Sequence, residues 1–142
     1  MAKPGEDRLV KLPNVNTWAK TKLRSASLHW PGRSEAIKRA RVERGLYQCA
    51  SCRELFKRKD IQADHIEPVV SIEKGWTTFD DFIARLYCPT EGFRVLCVAC
   101  HEVVTKLQDE MRSYYRQQRK EDEDKLSMGR RSKNKKSISI PD

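Results

Sequence analysis

Two short stretches of this chain hold most of the side chains that could do chemistry. They are Asp64-His65-Ile66-Glu67-Pro68 and Leu96-Cys97-Val98-Ala99-Cys100-His101, with Cys49-x-x-Cys52 just upstream. Together they supply four thiols, two imidazoles and the carboxylates of Asp64 and Glu67. The two-residue gap in Cys49-x-x-Cys52 and in Cys97-x-x-Cys100 lets both sulfurs of one turn reach one ion. Two such turns complete a tetrahedron, so these four cysteines are expected to hold a structural Zn²⁺. A redox role for either pair would call for a βαβ pattern around it, and none is present. Asp64, His65 and His101 are then left over beside a rigid knuckle, as a catalytic metal site requires. The plainer alternatives are a core histidine at 65 and a zinc ligand at 101. Cys88 stands unpaired and reads as a small, half-buried apolar residue, with an alternative ligand as the minor reading.

The elements that must position these groups are short. Residues 1–16 contain Pro4, Gly5 and Pro13 and read as an extended basic arm. A helix is expected over 17–28 with Trp18 and Leu23 inward, broken by Trp30-Pro31-Gly32. A second is expected over 34–44, capped by Ser34 and stopped by Gly45. Its outer face would carry Lys38, Arg39, Arg41 and Arg44, either as a solvated face or as phosphate contacts. His29, just before Trp30, reads as structural or phosphate-contacting. Leu46-Tyr47-Gln48 and Leu55-Phe56 pair around the first knuckle, and Lys57, Arg58 and Lys59 form a basic loop tip. Residues 61–66 alternate like a strand that Pro68 ends. Thr78 caps a helix whose Phe79, Phe82, Ile83 and Leu86 have core spacing. Residues 93–96 form a strand entering the second knuckle. A last helix runs from His101 to about position 120, with Val103, Val104, Leu107 and Met111 inward. Residues 121–142 are rich in charge and poor in large apolar groups, so a mobile tail is expected.

The totals agree with a small stapled α+β domain. Apolar residues make up 38% of 142 and charged ones 35%, a composition that leaves a small core and favours a zinc staple. Net charge is +9, which favours a polyanion. The charge is uneven: residues 1–48 are net +7, residues 49–118 net −1 and residues 119–142 net +3. The chain therefore divides into a basic arm with helices (1–45), a chemistry-bearing core (46–118) and a charged tail (119–142). No apolar run is long enough for a bilayer, and residues 1–10 lack the apolar stretch of a secretory signal. Paired cysteines in such a chain point to metal in a reducing cytoplasm.

The run Asp64-His65-Ile66-x-Pro68, followed by Leu96-Cys97-x-x-Cys100-His101, resembles the HNH (ββα-metal) endonucleases. It is most similar to the small free-standing HNH proteins of tailed bacteriophages. Trp30-Pro31-Gly32-Arg33 and the stretch from Gly75-Trp76-Thr77 to Arg85-Leu86 share that likeness. The resemblance implies a ββα-metal core stapled by the four-cysteine zinc site, in the cytoplasm of a host cell if phage-encoded. It implies His65 as the general base, and Asp64 and His101 as ligands of one divalent cation, Mg²⁺, Mn²⁺ or Ni²⁺. The substrate would be DNA, held mostly by its backbone phosphates through Lys38, Arg39, Arg41, Arg44, Lys57, Arg58 and Lys59. An inactive, zinc-stapled nucleic-acid-binding accessory protein is the alternative. Two positions depart from the pattern. Gly92, beside Glu91, stands where the family has its central Asn or His, which leaves Glu91 or a backbone carbonyl to orient His65. Thr105 follows His101 by one helical turn where some relatives place a further ligand, and fewer protein ligands favour Mg²⁺ or Mn²⁺ over Zn²⁺.

The chemistry has a basis apart from the family. Phosphodiester hydrolysis needs activated water and charge neutralisation, which an imidazole and a carboxylate-held cation supply. Neighbours on a regular strand point to opposite faces. Asp64 and His65 can therefore share one phosphate only if the backbone leaves strand geometry there.

Overall fold

A computed structural model describes residues 11–135. In chain order the elements are α1 (Val15–Ser27), α2 (Pro31–Arg39), β1 (Arg41–Glu43), β2 (Leu46–Gln48), β3 (Leu55–Phe56), β4 (Ile61–His65), α3 (Phe79–Leu86), β5 (Phe93–Cys97) and α4 (Val98–Lys135). The class is α+β. Strands β1, β2 and β3 form one antiparallel sheet in that order, and β4 and β5 form a second antiparallel pair. β5 passes into α4 with no loop, because Cys97 ends the strand and Val98 opens the helix.

Side chains alternate across the β4–β5 pair, and each face meets a different helix. Ile61, Ala63, Phe93 and Val95 bury against Ala36 and Ile37 of α2. On the opposite face Leu96, 1% exposed, packs with Cys49, Cys97 and Val104 of α4. A third cluster of Val69, Phe82 and Leu86 joins α3 to Leu23 of α1.

Helix α1 starts at Val15, two residues earlier than expected, because the Asn14 side chain accepts the Thr17 N–H at 3.1 Å. Leu23 is inward, but Trp18 is 52% exposed. Lys22 places its ammonium 5.5 Å from the Trp18 ring.

Helix α2 differs at both ends from the expected 34–44. It begins at Pro31, since the missing N–H costs nothing in a first helical turn. Trp30-Pro31 thus starts α2 rather than only ending α1. The Trp30 indole donates to the Cys88 carbonyl at 2.7 Å. A Cβ on Gly32 would meet Trp30 Nε1 at 2.8 Å and the Cys88 carbonyl at 3.0 Å, so only glycine lets these segments touch. The helix stops at Arg39, and Arg41–Glu43 becomes a strand. Gly45, at φ 77°, makes the β1–β2 turn instead of a helix stop.

Helix α3 follows expectation, with the Thr78 hydroxyl accepting the Asp81 N–H at 3.1 Å. Phe82 and Leu86 are buried, whereas Ile83 is 40% exposed.

Helix α4 is the largest departure. It runs 38 residues, through the charged segment expected to be mobile. Glu, Lys, Arg, Gln and Leu are good helix formers, and Gln117 donates to Glu121 one turn on at 3.2 Å. Scarcity of apolar groups there marks a lack of packing, not a lack of helix. Val104 packs inward, but Val103, Leu107 and Met111 are each about half exposed or more. The outer parts of the expected arm and tail, 1–10 and 136–142, lie outside the described residues. Among the described residues no helix is long and apolar enough to cross a membrane.

Candidate active site and metal centre

The sulfurs of Cys49, Cys52, Cys97 and Cys100 all lie within 4.8 Å of one another, and those of Cys52 and Cys97 are 3.9 Å apart. Zinc–sulfur bonds of about 2.3 Å place the corners of a tetrahedron about 3.8 Å apart, so this cluster could hold a zinc ion. The first knuckle is closed by Cys49 N–H to Glu54 O and Arg53 N–H to Cys49 O, both at 3.0 Å, with Arg53 at φ 64°. The Ala50 N–H donates to Val95 at 2.8 Å, which fastens the knuckle to β5. Burial pushes the Cys49 thiol up. The N–H groups of Cys97, Cys52 and Ser51 and the Cys52 side chain outweigh it and bring the thiol down to about 6. The Glu54 N–H draws the Cys52 thiol down, but burial and the Cys49, Cys100 and Cys97 side chains push it up to about 12. Four crowded sulfurs cannot all ionise by themselves. A bound cation removes that conflict.

Asp64 lies on the α4 face of β4, directly opposite Arg94 of β5. Arg94 Nε and Nη2 each reach Asp64 Oδ2 at 3.1 Å. The other oxygen, Oδ1, is 3.8 Å from His101 Nε2. That span is too long for a hydrogen bond. It can be bridged by a divalent cation with ligand distances of about 2.0–2.6 Å. A carboxylate oxygen and one imidazole, with no thiol, could together hold a divalent cation. His101 is the fourth residue of α4 rather than its first, in the turn where the helix dipole favours negative charge.

His65, directly opposite Phe93, packs against that ring at a tilt of 47° with centroids 4.6 Å apart. Its Nε2 is 2.9 Å from the carbonyl oxygen of Leu86. A carbonyl only accepts, so Nε2 carries the hydrogen and the lone pair sits on Nδ1. The orienting group is thus a backbone carbonyl at the end of α3. Glu91 is engaged elsewhere, with Arg39 at 3.2 Å. The backbone just beyond His65 is held as well. Arg85 pairs with Glu67 at 3.0 Å, donates to Pro68 O at 3.2 Å and pairs with Asp81 at 3.1 Å.

Strand geometry does not break between Asp64 and His65; β4 pairs regularly to its end. The two side chains leave on opposite faces and still line one cavity of about 140 Å³. They can do so because His65 is the last strand residue and the chain bends at Ile66 and Glu67.

Gly92 is fixed by Cys88. A Cβ at position 92 would lie 2.6 Å from Cys88 Sγ and 3.0 Å from its Cβ. Burial, the largest influence, pushes the Cys88 thiol up. The sulfur fills the space that a side chain at position 92 would need.

The expected phosphate contacts divide. Lys38 and Arg39 lie on α2, and Arg39 is tied to Glu35 and Glu91. Arg41 and Arg44 lie on the β1–β2 hairpin, apart from that helix face, and Arg41 donates to Glu43 O at 3.3 Å. Lys57, Arg58 and Lys59 are exposed before β4. Burial and the charge of Arg58 lower the Arg33 guanidinium, and Asp64 raises it, so these basic groups share a field with the candidate site. A wider hollow of about 640 Å³ lies behind the knuckle, but Glu54, Asp60 and Glu102 line it, a poor wall for a polyanion.

No protein-family model matches the chain, nor does any curated protein or solved structure. Residue types and spacing do not single out Arg94, opposite Asp64, or Arg24, Gln108 and Arg112, which line the same cavity as Asp64 and His65. The register Asp64↔Arg94 was the one available signal, and it appears only once β4 is paired with β5.

Proposed function

We propose that this chain is a metal-dependent HNH endonuclease that hydrolyses DNA phosphodiester bonds and is stapled by zinc at Cys49, Cys52, Cys97 and Cys100. One observation carries the reading. Asp64 Oδ1 and His101 Nε2 converge at 3.8 Å beside a histidine whose Nε2 is held by a carbonyl. An antiparallel strand pair leading into a helix supports the same reading.

The residues take these parts. His65 Nδ1 accepts a proton from water. The resulting hydroxide oxygen bonds to phosphorus, one ester bond breaks, and the leaving oxygen takes a proton from solvent. Arg94 fixes Asp64 so that Oδ1 faces His101. Asp64 and His101 would hold a divalent cation, which would supply charge neutralisation for the phosphate. The basic ends of the chain give a largely sequence-tolerant grip on the DNA backbone.

The test is relaxation of supercoiled plasmid by zinc-loaded protein, dialysed free of other divalent metal without chelator and then supplied with Mg²⁺, Mn²⁺ or Ni²⁺. Nicking that depends on added metal is expected. Salt-sensitive DNA binding with no nicking in any of the three metals would instead identify an inactive accessory protein.

A further inference from the structure

The cavity that Asp64 and His65 share has a second wall that the reading above does not use. Arg24 of α1, and Gln108 and Arg112 of α4, line it together with Pro68, Val69 and Val70. We propose that Arg24 and Arg112 form a two-sided clamp for a DNA backbone phosphate seated in this cavity. The proposal rests on the endonuclease reading for its substrate.

Size supports a phosphate. The cavity, about 140 Å³ and open to solvent, has room for one phosphate group. Charge supports it too. The lining carries two guanidinium groups against one carboxylate, and Asp64 is already paired with Arg94. Among the described residues Arg24 forms no ion pair, and Arg112 pairs only with Asp109, at 3.2 Å. Guanidinium groups are donors with no acceptor role and match phosphate oxygens in pairs.

The clamp is also held in place. Tyr87 donates its hydroxyl hydrogen to Leu23 O at 2.8 Å, which fastens α1 to the end of α3. The Arg24 guanidinium sits 5.4 Å from the Phe82 ring centroid. Gln108 and Arg112 are one helical turn apart and share a face of α4. Helix α3 therefore positions both the base, through Leu86 O, and one jaw of the clamp, through Phe82 and Tyr87. The N-terminal helix, outside the motif-bearing core, becomes part of the site.

The test uses the full zinc-loaded chain, with a labelled duplex oligonucleotide in buffer free of other divalent metal for binding and plasmid nicking for activity. Arg24→Ala and Arg112→Ala should each flatten the slope of log binding constant against log salt by about one. Each should also slow nicking about a hundredfold, the scale for losing one donor to developing charge. Arg24→Lys and Arg112→Lys should keep the wild-type slope, since the charge remains, yet still nick at least about tenfold slower, since the fork is lost. A purely structural arginine would not give that split. Zinc content and circular dichroism check each fold, and Arg24→Gln substitutes if Arg24→Ala fails to fold. Unchanged salt slopes and nicking rates in the Ala variants would overturn the clamp while leaving the nuclease reading intact. Altered slopes with a wild-type protein that never nicks would leave the clamp and overturn the nuclease reading.

Discussion

Asp64 and Arg94 face each other across the β4–β5 ladder, and two guanidinium nitrogens, Nε and Nη2, meet the same carboxylate oxygen at 3.1 Å. One oxygen of Asp64 is thereby committed and the other is left pointing at His101. A carboxylate held in this way presents a single ligand atom, and the proposed division between ligands and base depends on it.

That division can be read by mutation. His65→Ala should lose about 10²–10⁴-fold in nicking, the usual worth of a general base, while Mn²⁺ affinity survives. Asp64→Ala and His101→Ala should lose both, and all three should keep their zinc. Calorimetry of Mn²⁺ binding beside nicking rates decides it. Loss of Mn²⁺ binding in His65→Ala, with binding intact in His101→Ala, would sink the assignment.

Zinc should be present at about one ion per chain and bound with the 10–16 kcal/mol scale of structural sites. Cys49 and Cys97 are buried beside Leu96, so Cys49→Ser or Cys100→Ser should unfold the core rather than trim its surface. Elemental analysis of folded protein and thermal melts of the two variants check this; folded protein free of zinc would contradict it.

The space between positions 88 and 92 should show coupling. Gly92→Ala should cost about 1–3 kcal/mol from overpacking against Cys88 Sγ. Cys88→Ala removes that sulfur, so the double variant should lose less than the two singles combined, with a coupling of about 0.5–3 kcal/mol. Urea melts of the four proteins measure it, and strict additivity would rule the coupling out.

Asp81 gives an acid-side prediction. The Arg85 guanidinium first, and then the Thr77 hydroxyl, hold its carboxyl below the ordinary carboxylate value. The stability this adds is complete above the ordinary value, about pH 4, and is lost as pH falls through the lowered one. Asp81→Asn should therefore be slightly less stable than wild type at neutral pH and converge with it in acid. Melting temperatures across pH test the sign. The two curves staying parallel into acid would mean the charge contributes nothing.

Much of this was legible from residue types and spacing. C-x-x-C pairs, the Thr78 cap and the stripe of Phe82 and Leu86 depend on local geometry, and local geometry is written in sequence. The ends of α2 were misread because Ser34 is as good a cap as any, while Trp30 earns its place through Cys88, 58 positions away. Residue types left Glu91 or a backbone carbonyl to orient His65, and which carbonyl was illegible, since no side chain marks Leu86. The extent of α4 was misread because low hydrophobicity was equated with lack of helix.

Helix α4 is pinned along one side of its length only. Its first turns carry Cys100 and His101, and Arg119 donates to the carbonyl of Glu73. Beyond that contact Leu126 and Met128 are 64% and 71% exposed, and among the described residues the helix is held by hydrogen bonds within itself, including Ser127 Oγ to Asp124 O at 2.9 Å. At 1.5 Å per residue the whole rod is about 57 Å long, against a radius of gyration of roughly 14–15 Å for a compact chain of this size. Such a rod has a gradient of protection along its axis. Amide exchange should be slowest beside the knuckle and quicken turn by turn past position 119, as the far end frays without disturbing the near one.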